Sequence, residues 1–156
     1  MFTSTASDHF ANYAQRLGEI FDVASRSATH GRAALLTLRS WTVPAVELKQ
    51  ATMFYNERGR AVAYFTWAYL TERTAKRLQT EPLFVPNRHE WLEGSDFWII
   101  DLAANEGSAA AVIRYIRNVV AVEAGDINYL ARVRPGGSGR LHRVVKRRLV
   151  GSTRFD

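Results

Sequence analysis

Ala51-Thr52-Met53-Phe54-Tyr55, then Asn56-Glu57-Arg58-Gly59-Arg60, then Ala61-Val62-Ala63-Tyr64-Phe65-Thr66-Trp67-Ala68-Tyr69-Leu70: the architecture is built around these twenty residues. Two runs rich in aromatic and β-branched residues flank a polar turn that contains glycine, which predicts an antiparallel hairpin. Downstream, Phe97 to Ala103 is a bulky apolar run broken only by Asp101, and it predicts a buried strand. Ile127 to Arg134 predicts another strand, closed by Pro135-Gly136-Gly137-Ser138-Gly139. Around these strands the periodicity turns helical. Residues 8–25 put Phe10, Tyr13, Leu17, Ile20, Phe21 and Ala24 on one stripe, with Ser7 or Asp8 as cap. Gly31 ends that segment, and a short helix is expected from Pro44 to Ala51 behind a Thr42 cap, because proline suits a first turn. Thr71 caps a helix from Glu72 to Gln79. The stretch from Thr80 to Gly94, with Pro82 and Pro86, reads as irregular. Asn105-Glu106-Gly107-Ser108 separates the central strand from a helix over Ala109 to Val122. Helices, hairpin, helix, strand, helix, strand is the order of an α/β (α+β) single domain with a mostly antiparallel mixed sheet flanked by helices.

The chain has 156 residues, enough for one core but not for two. Hydrophobic residues make up 47% and charged residues 23%, an ordinary globular balance. No apolar run is long enough to span a bilayer. The N-terminal residues carry neither a basic region nor an apolar one of the secretory kind, so a cytoplasmic location is expected. The absence of cysteine excludes disulfides, thiolate zinc sites and a cysteine nucleophile. The net charge of +6 is unevenly placed: residues 1–126 carry 13 Lys/Arg against 14 Asp/Glu, whereas residues 127–155 carry 8 Lys/Arg and no acid. A one-signed segment of that density attracts an anionic partner, whether nucleic acid, an acidic protein or an acidic membrane surface. The domain is therefore placed at residues 1–140, with 141–156 as a basic C-terminal helix or arm.

Asp101 is the most unusual residue, because a carboxylate inside Trp98-Ile99-Ile100-Asp101-Leu102-Ala103 carries a desolvation cost unless it is paired or at the strand's open end, and buried carboxylates are candidates for functional sites. A structural salt bridge to an arginine is the plainer explanation. Of His9, His30, His89 and His142, His30 precedes Gly31 at a helix end, where a histidine often caps carbonyls. One His and one Asp still suffice for general base catalysis when the substrate supplies the nucleophile. Asn105-Glu106-Gly107-Ser108, between strand and helix, is a weak phosphate-binding candidate. Neither a nucleotide phosphate loop nor a dinucleotide fingerprint is present, and no His/Asp/Glu metal cluster is visible. Tyr64, Phe65, Trp67, Trp91 and Trp98 serve a core or an acyl-chain pocket equally well.

Taken together, these residues resemble the bacterial RTX toxin-activating lysine acyltransferases over about Ser27 to Arg140. Ser27-Ala28-Thr29-His30 is similar to that family's Ser-Pro-Leu-His, and the gap from His30 to Pro44 is also similar. Ala61-Val62-Ala63-Tyr64-Phe65-Thr66-Trp67-Ala68 resembles its Pro-Val-Ala-Tyr-Cys-Ser-Trp-Ala. Trp91, Gly94, Trp98 and Asp101 fall without a gap on Asp-Trp-x-x-Gly-x-x-x-Trp-Phe-Ile-Asp, and Arg132-Val133-Arg134-Pro135 looks like Arg-Val-Asp-Pro. The resemblance implies a GNAT-like fold and transfer of a fatty acyl group from acyl carrier protein to a lysine ε-amine of a protein or peptide acceptor. It implies His30 and Asp101 as catalytic residues, with Ser27, Tyr64, Trp67 and Trp98 toward the acyl substrate. Asn105, Gly107 and Ser108 would receive the phosphopantetheine arm, and Arg132, Arg134, Arg140, Arg143, Lys146 and Arg147 would meet the acidic carrier protein. No permanently bound cofactor and no metal are implied, and a homodimer is suggested. The chain departs from the pattern at Trp41, where the family has Asn, with Ser40 or Thr42 as possible substitutes, and at Ser95, where it has Asp. The alternative is a nucleic-acid- or acidic-partner-binding module using the basic tail. That tail lacks interleaved aromatics, and no helix-turn-helix or RNA-binding signature appears.

Overall fold

The computed structural model describes residues 13–28, 30–81, 84–105, 107–131 and 142–143. The hairpin forms as its turn residues demand. Strands β1 (Ala51–Tyr55) and β2 (Ala61–Leu70) pair antiparallel. Gly59 takes φ +72° in the turn, where a side chain would strain the backbone. Asn56 Oδ1 accepts the N–H groups of Arg58 at 3.1 Å and Arg60 at 3.0 Å, closing the turn locally. Strand β3 (Asp96–Ala104) pairs antiparallel with β2, and β4 (Ile127–Ala131) joins β3 in parallel over Phe97 to Ile99. A two-residue β5 (His142–Arg143) runs antiparallel to the end of β4. The sheet is mixed and mostly antiparallel, as the sequence predicts.

Helices cover both faces. Helix α1 (Tyr13–Arg26) packs Ile20, Val23 and Ala24 against Met53, Tyr64 and Ala103. On the same face, α2 (Leu35–Glu47) and α3 (Glu72–Thr80) close over Ala68, Leu70, Trp91, Trp98 and Ile100. The other face holds Phe54, Val62, Phe65, Phe97 and Ile99 under Val112 of α4 (Ala109–Tyr115). Strand β2 is therefore buried on both sides, and its alternation sorts side chains between two helical layers rather than between core and water. The Thr71 cap forms, its hydroxyl oxygen accepting the Thr74 N–H at 3.2 Å. The expected irregular stretch contains a short 3-10 turn, Arg88–Trp91, that seats Trp91 fully inside the core.

Two helices differ from expectation. Helix α2 begins at Leu35, and Pro44 lies inside it rather than in its first turn. Leu38, Trp41, Thr42, Ala45 and Val46 make one buried stripe at helical spacing, and burying it outweighs the hydrogen bond that proline forfeits. Thr42 does not cap; its hydroxyl donates to the Leu38 carbonyl at 2.9 Å. The helix expected over Ala109 to Val122 is interrupted by a π turn, Ile116–Val120, before α5 (Ala121–Ala124). A continuous α-helix would carry Val119 and Glu123 round to the sheet. The wider turn shifts the register by one residue, so Val120 and Ala124 pack there and Glu123 stays in water.

Candidate active site

The C-terminal end of α1 is pinned to the sheet from two sides. Arg26 Nη2 donates to the Ala61 carbonyl at 2.8 Å, and Asn105 Nδ2 donates to the Val23 carbonyl at 2.7 Å. The chain then turns back on itself through Gly31 N–H to Ser27 C=O at 2.8 Å and Ala33 N–H to His30 C=O at 2.8 Å. A Cβ on Gly31 would stand 2.7 Å from the Ser25 carbonyl oxygen and 2.9 Å from that of Ser27, so this close turn needs glycine. It delivers His30 over the sheet.

Asp101 comes from the middle of β3, and a bulge aims it. Thr66 pairs with Asp101 and Trp67 with Ile99, which leaves Ile100 without a partner across the ladder. In a regular strand Asp101 would share the face of Phe97 and Ile99, under α4. The extra residue turns both Ile100 and Asp101 to the α1–α2 face, where Trp98 and Ala103 also lie. There Asp101 Oδ1 meets His30 Nε2 at 2.7 Å, and Tyr64 OH donates to Oδ2 at 2.8 Å. The side chains of His30 and Asp101 are 13% and 6% exposed, so this pair works largely away from water. A buried carboxylate is tolerated because both of its oxygens are hydrogen-bonded.

The proton positions follow from chemistry. An ionised carboxylate can only accept, so His30 Nε2 carries the hydrogen that points to it, and in the neutral imidazole Nδ1 is the acceptor. Ser27 Oγ lies 3.2 Å from Nδ1. The Tyr64 ring meets the imidazole edge-on with centroids 6.4 Å apart, which holds the ring plane. The result is a chain from Ser27 through imidazole and carboxylate to the phenol. It poises one histidine nitrogen to take a proton while the carboxylate stabilises the imidazolium that forms.

The other residues singled out by sequence are placed as follows. Trp98 is buried on the face of Asp101, among Trp41, Trp91 and Ile100. Trp67 stands on the opposite face, stacked on Phe97 at 6.4 Å and beside Phe65, so the structure does not bring it to His30. Asn105 and Ser108 spend their side chains on the fold: besides the Val23 bond, Ser108 Oγ donates to the carbonyls of Val62 and Asn105. Gly107 is exposed with φ +74°. Ser40 donates its hydroxyl to the Leu36 carbonyl at 2.8 Å, and Thr42 is committed likewise, so neither replaces an amide at position 41. Arg132, Arg134, Arg140, Lys146 and Arg147 lie outside the described residues, and Arg143 is described only as backbone in β5. Also outside them are Thr29, Phe10 and the expected Ser7 or Asp8 cap. Among the described residues no group of three His, Asp or Glu is spaced to hold a metal, and no helix is long and apolar enough to cross a membrane.

Sequence reasoning missed one feature of this face. Thr66 Oγ1 and Trp98 Nε1 are buried with no hydrogen-bond partner, as are Gln50 Oε1 and Arg16 Nε elsewhere in the core. Each such group costs about 1–3 kcal/mol of stability. Thr66 was findable: it lies two residues from Tyr64 on β2, hence on the same face. A cavity of about 250 Å³ opens on the far side of the sheet, between Phe54, Val62, Val112 and Tyr115, away from His30.

The fold and site thus define an α+β protein with a buried histidine–carboxylate pair, an arrangement able to accept a proton. The family model for RTX toxin acyltransferases (HlyC) matches residues 10–144. The chain belongs to the RTX toxin acyltransferase family. It is similar to the lysine-acyltransferase RtxC of Vibrio cholerae, 24% identical over 110 residues, covering 70% of this chain and 71% of that protein. Two solved structures are similar at 12% identity and a TM-score of 0.49 each. One is the GNAT-like decarboxylase GphF in complex with isobutyryl-CoA, with 80% of this chain and 65% of that chain covered, so this chain spans just under two thirds of it. The other is a histone acetyltransferase HPA2-related acetyltransferase from Corynebacterium glutamicum, with 86% and 90% covered. Neither overlap carries chemistry across to this chain.

Proposed function

We propose that the protein moves a fatty acyl group from acyl carrier protein to the ε-amine of a lysine on a protein acceptor of the RTX-toxin kind, with His30 as general base and Asp101 as its charge partner. The observation that carries this reading is the Ser27–His30–Asp101–Tyr64 hydrogen-bond chain in a site shielded from water. Family membership supports the acyl-transfer class, and the name of the RtxC relative supports lysine as the acceptor residue.

A free lysine amine has a pKa near 10.4, so at neutral pH the ammonium first gives a proton to water as it enters the site. In the proposed step the neutral amine displaces Ser27 Oγ from His30 Nδ1. Its nitrogen bonds to the thioester carbonyl carbon, and the carbonyl π pair moves to oxygen. Nδ1 takes the second amine proton, giving an imidazolium held against Asp101. The oxyanion collapses, the C–S bond breaks, and the departing pantetheine thiolate receives that proton as thiol. The donor is already activated, so this step is balanced without a metal. The charges of Arg132, Arg134, Arg140, Arg143, Lys146 and Arg147 attract the acidic carrier protein, and the turn at Gly107, exposed with φ +74°, lets the phosphopantetheine arm approach the backbone closely.

The test is intact-protein mass spectrometry after incubation with acyl carrier proteins charged with chains of about eight to sixteen carbons and a lysine-bearing acceptor encoded beside the gene. Acyl mass on an acceptor lysine is expected, falling by about 10²–10⁴-fold in rate for His30→Ala and for Asp101→Ala while both stay folded. Full turnover in both variants removes the assigned site. Absence of transfer from every carrier removes the function.

A further inference from the structure

On the α1–α2 face, two hydrogen-bond donors in the layer that carries Asp101 are buried and unused. Thr66 lies directly opposite Asp101 across the β2–β3 ladder, and its hydroxyl is inaccessible and has no partner. Trp98, paired with Ala68 two residues further along the same face, has its indole N–H buried and equally unpaired. Buried donors in folded proteins are almost always satisfied, so two orphans in one layer beside a paired imidazole and carboxylate call for an acceptor brought by a ligand. Ser40 and Thr42, the hydroxyls of α2 nearest in sequence to this layer, are already bonded to helix carbonyls.

We propose that Thr66 Oγ–H, with Trp98 Nε1–H, donates to the thioester carbonyl oxygen of the acyl donor and stabilises the oxyanion formed when the amine attacks. This rests on the acyl-transfer reading above. In this reading the acyl donor lays its carbonyl oxygen against the layer that holds Thr66 and Trp98, on the face of the sheet that also carries Asp101 and receives His30. Donors fixed in a dry site where charge develops act mainly on the transition state, so their loss lowers kcat more than it raises KM. No covalent change occurs at either residue; the oxygen gains charge as the C–N bond forms and loses it as the C–S bond breaks.

The experiment compares wild type, Thr66→Val and Thr66→Ser with the carrier protein and acceptor that wild type turns over, alongside melting curves. Valine keeps the volume and removes only the hydroxyl. A fall in kcat of about 100-fold for Thr66→Val is expected, with KM within a factor of two or three. Its Tm should be equal to or above wild type, because an unsatisfied buried group has gone. Thr66→Ser, which restores a donor, should recover most of the rate. Trp98→Phe should lower kcat in the same way. Wild-type kcat in Thr66→Val overturns the inference, as does a lowered Tm with kcat unchanged, which would mark the hydroxyl as structural. Should wild type itself fail to transfer any acyl chain, the proposed function falls and this inference with it. Transfer by wild type with undiminished transfer by Thr66→Val sinks the inference alone.

Discussion

His30 and Asp101 stand 71 residues apart in the chain and 2.7 Å apart in the fold. The contact is asymmetric: one ring nitrogen is tied to a buried carboxylate, and the other faces a serine hydroxyl, the position the amine takes in the proposed step. Tyr64 acts on the far side of the carboxylate, holding Oδ2 so that Oδ1 faces the imidazole. Tyr64→Phe should therefore leave substrate binding intact and lower kcat by about tenfold, since it frees the orienting carboxylate without removing the base. Steady-state kinetics with the carrier protein as varied substrate checks this, and an unchanged kcat would mean the phenol only packs. The residue types were legible in the sequence: a carboxylate within an apolar strand and a histidine before a glycine both stood out. Their pairing was legible only through the family resemblance, because nothing local in either segment points to the other.

At the scale of elements, α1 is held by a further polar tie besides its apolar stripe and the two bonds at its C-terminal end. Arg16 Nη1 donates to Tyr55 OH at 3.0 Å, and Tyr55 OH donates to Glu19 Oε2 at 2.7 Å, joining the helix to the end of β1. Burial, with the Glu19 hydrogen bond behind it, pushes the Tyr55 phenol from 10.0 up to about 12. An acid whose folded pKa is raised holds its proton in the native state while the unfolded chain has lost it, so its contribution is intact below pH 10 and fades between about pH 10 and 12. Tyr55→Phe should lower Tm by a few degrees at neutral pH, because Arg16 and Glu19 lose a partner. It should also flatten the fall of Tm between pH 10 and 12, which melting curves across that range would read; an equally steep fall in the variant would assign the alkaline loss elsewhere. The two misplaced helices teach the same lesson at this scale. Pro44 is a start signal only where no buried stripe runs through it. The π turn exists because Val120 and Ala124, not Val119 and Glu123, suit the sheet. In each case burial of an apolar face overrides a local preference worth less.

For the whole molecule, the division of charge matters most. The core and site occupy a region of nearly balanced charge, while the last fifth of the chain is wholly basic apart from Asp156. If that segment receives the acidic carrier protein, reversing Arg134 and Arg140 to Glu should raise the carrier's KM several-fold, more strongly at low salt, and leave kcat nearly unchanged. Kinetics at two ionic strengths would decide it, and an unaltered KM would assign the tail to the acceptor instead. Strand content, the hairpin, the α+β class and the identity of the groups able to do acid–base work can all be read from the order of residues. These depend on side-chain period, turn chemistry and residue type, all of which are local. The tertiary structure alone decided which face Asp101 serves, that Trp67 is remote while Tyr64 is in contact, and that Thr66 and Trp98 are left with unused donors. A one-residue bulge at Ile100 reverses the direction of every side chain beyond it, and whether a buried donor is satisfied depends on partners brought from elsewhere in the chain.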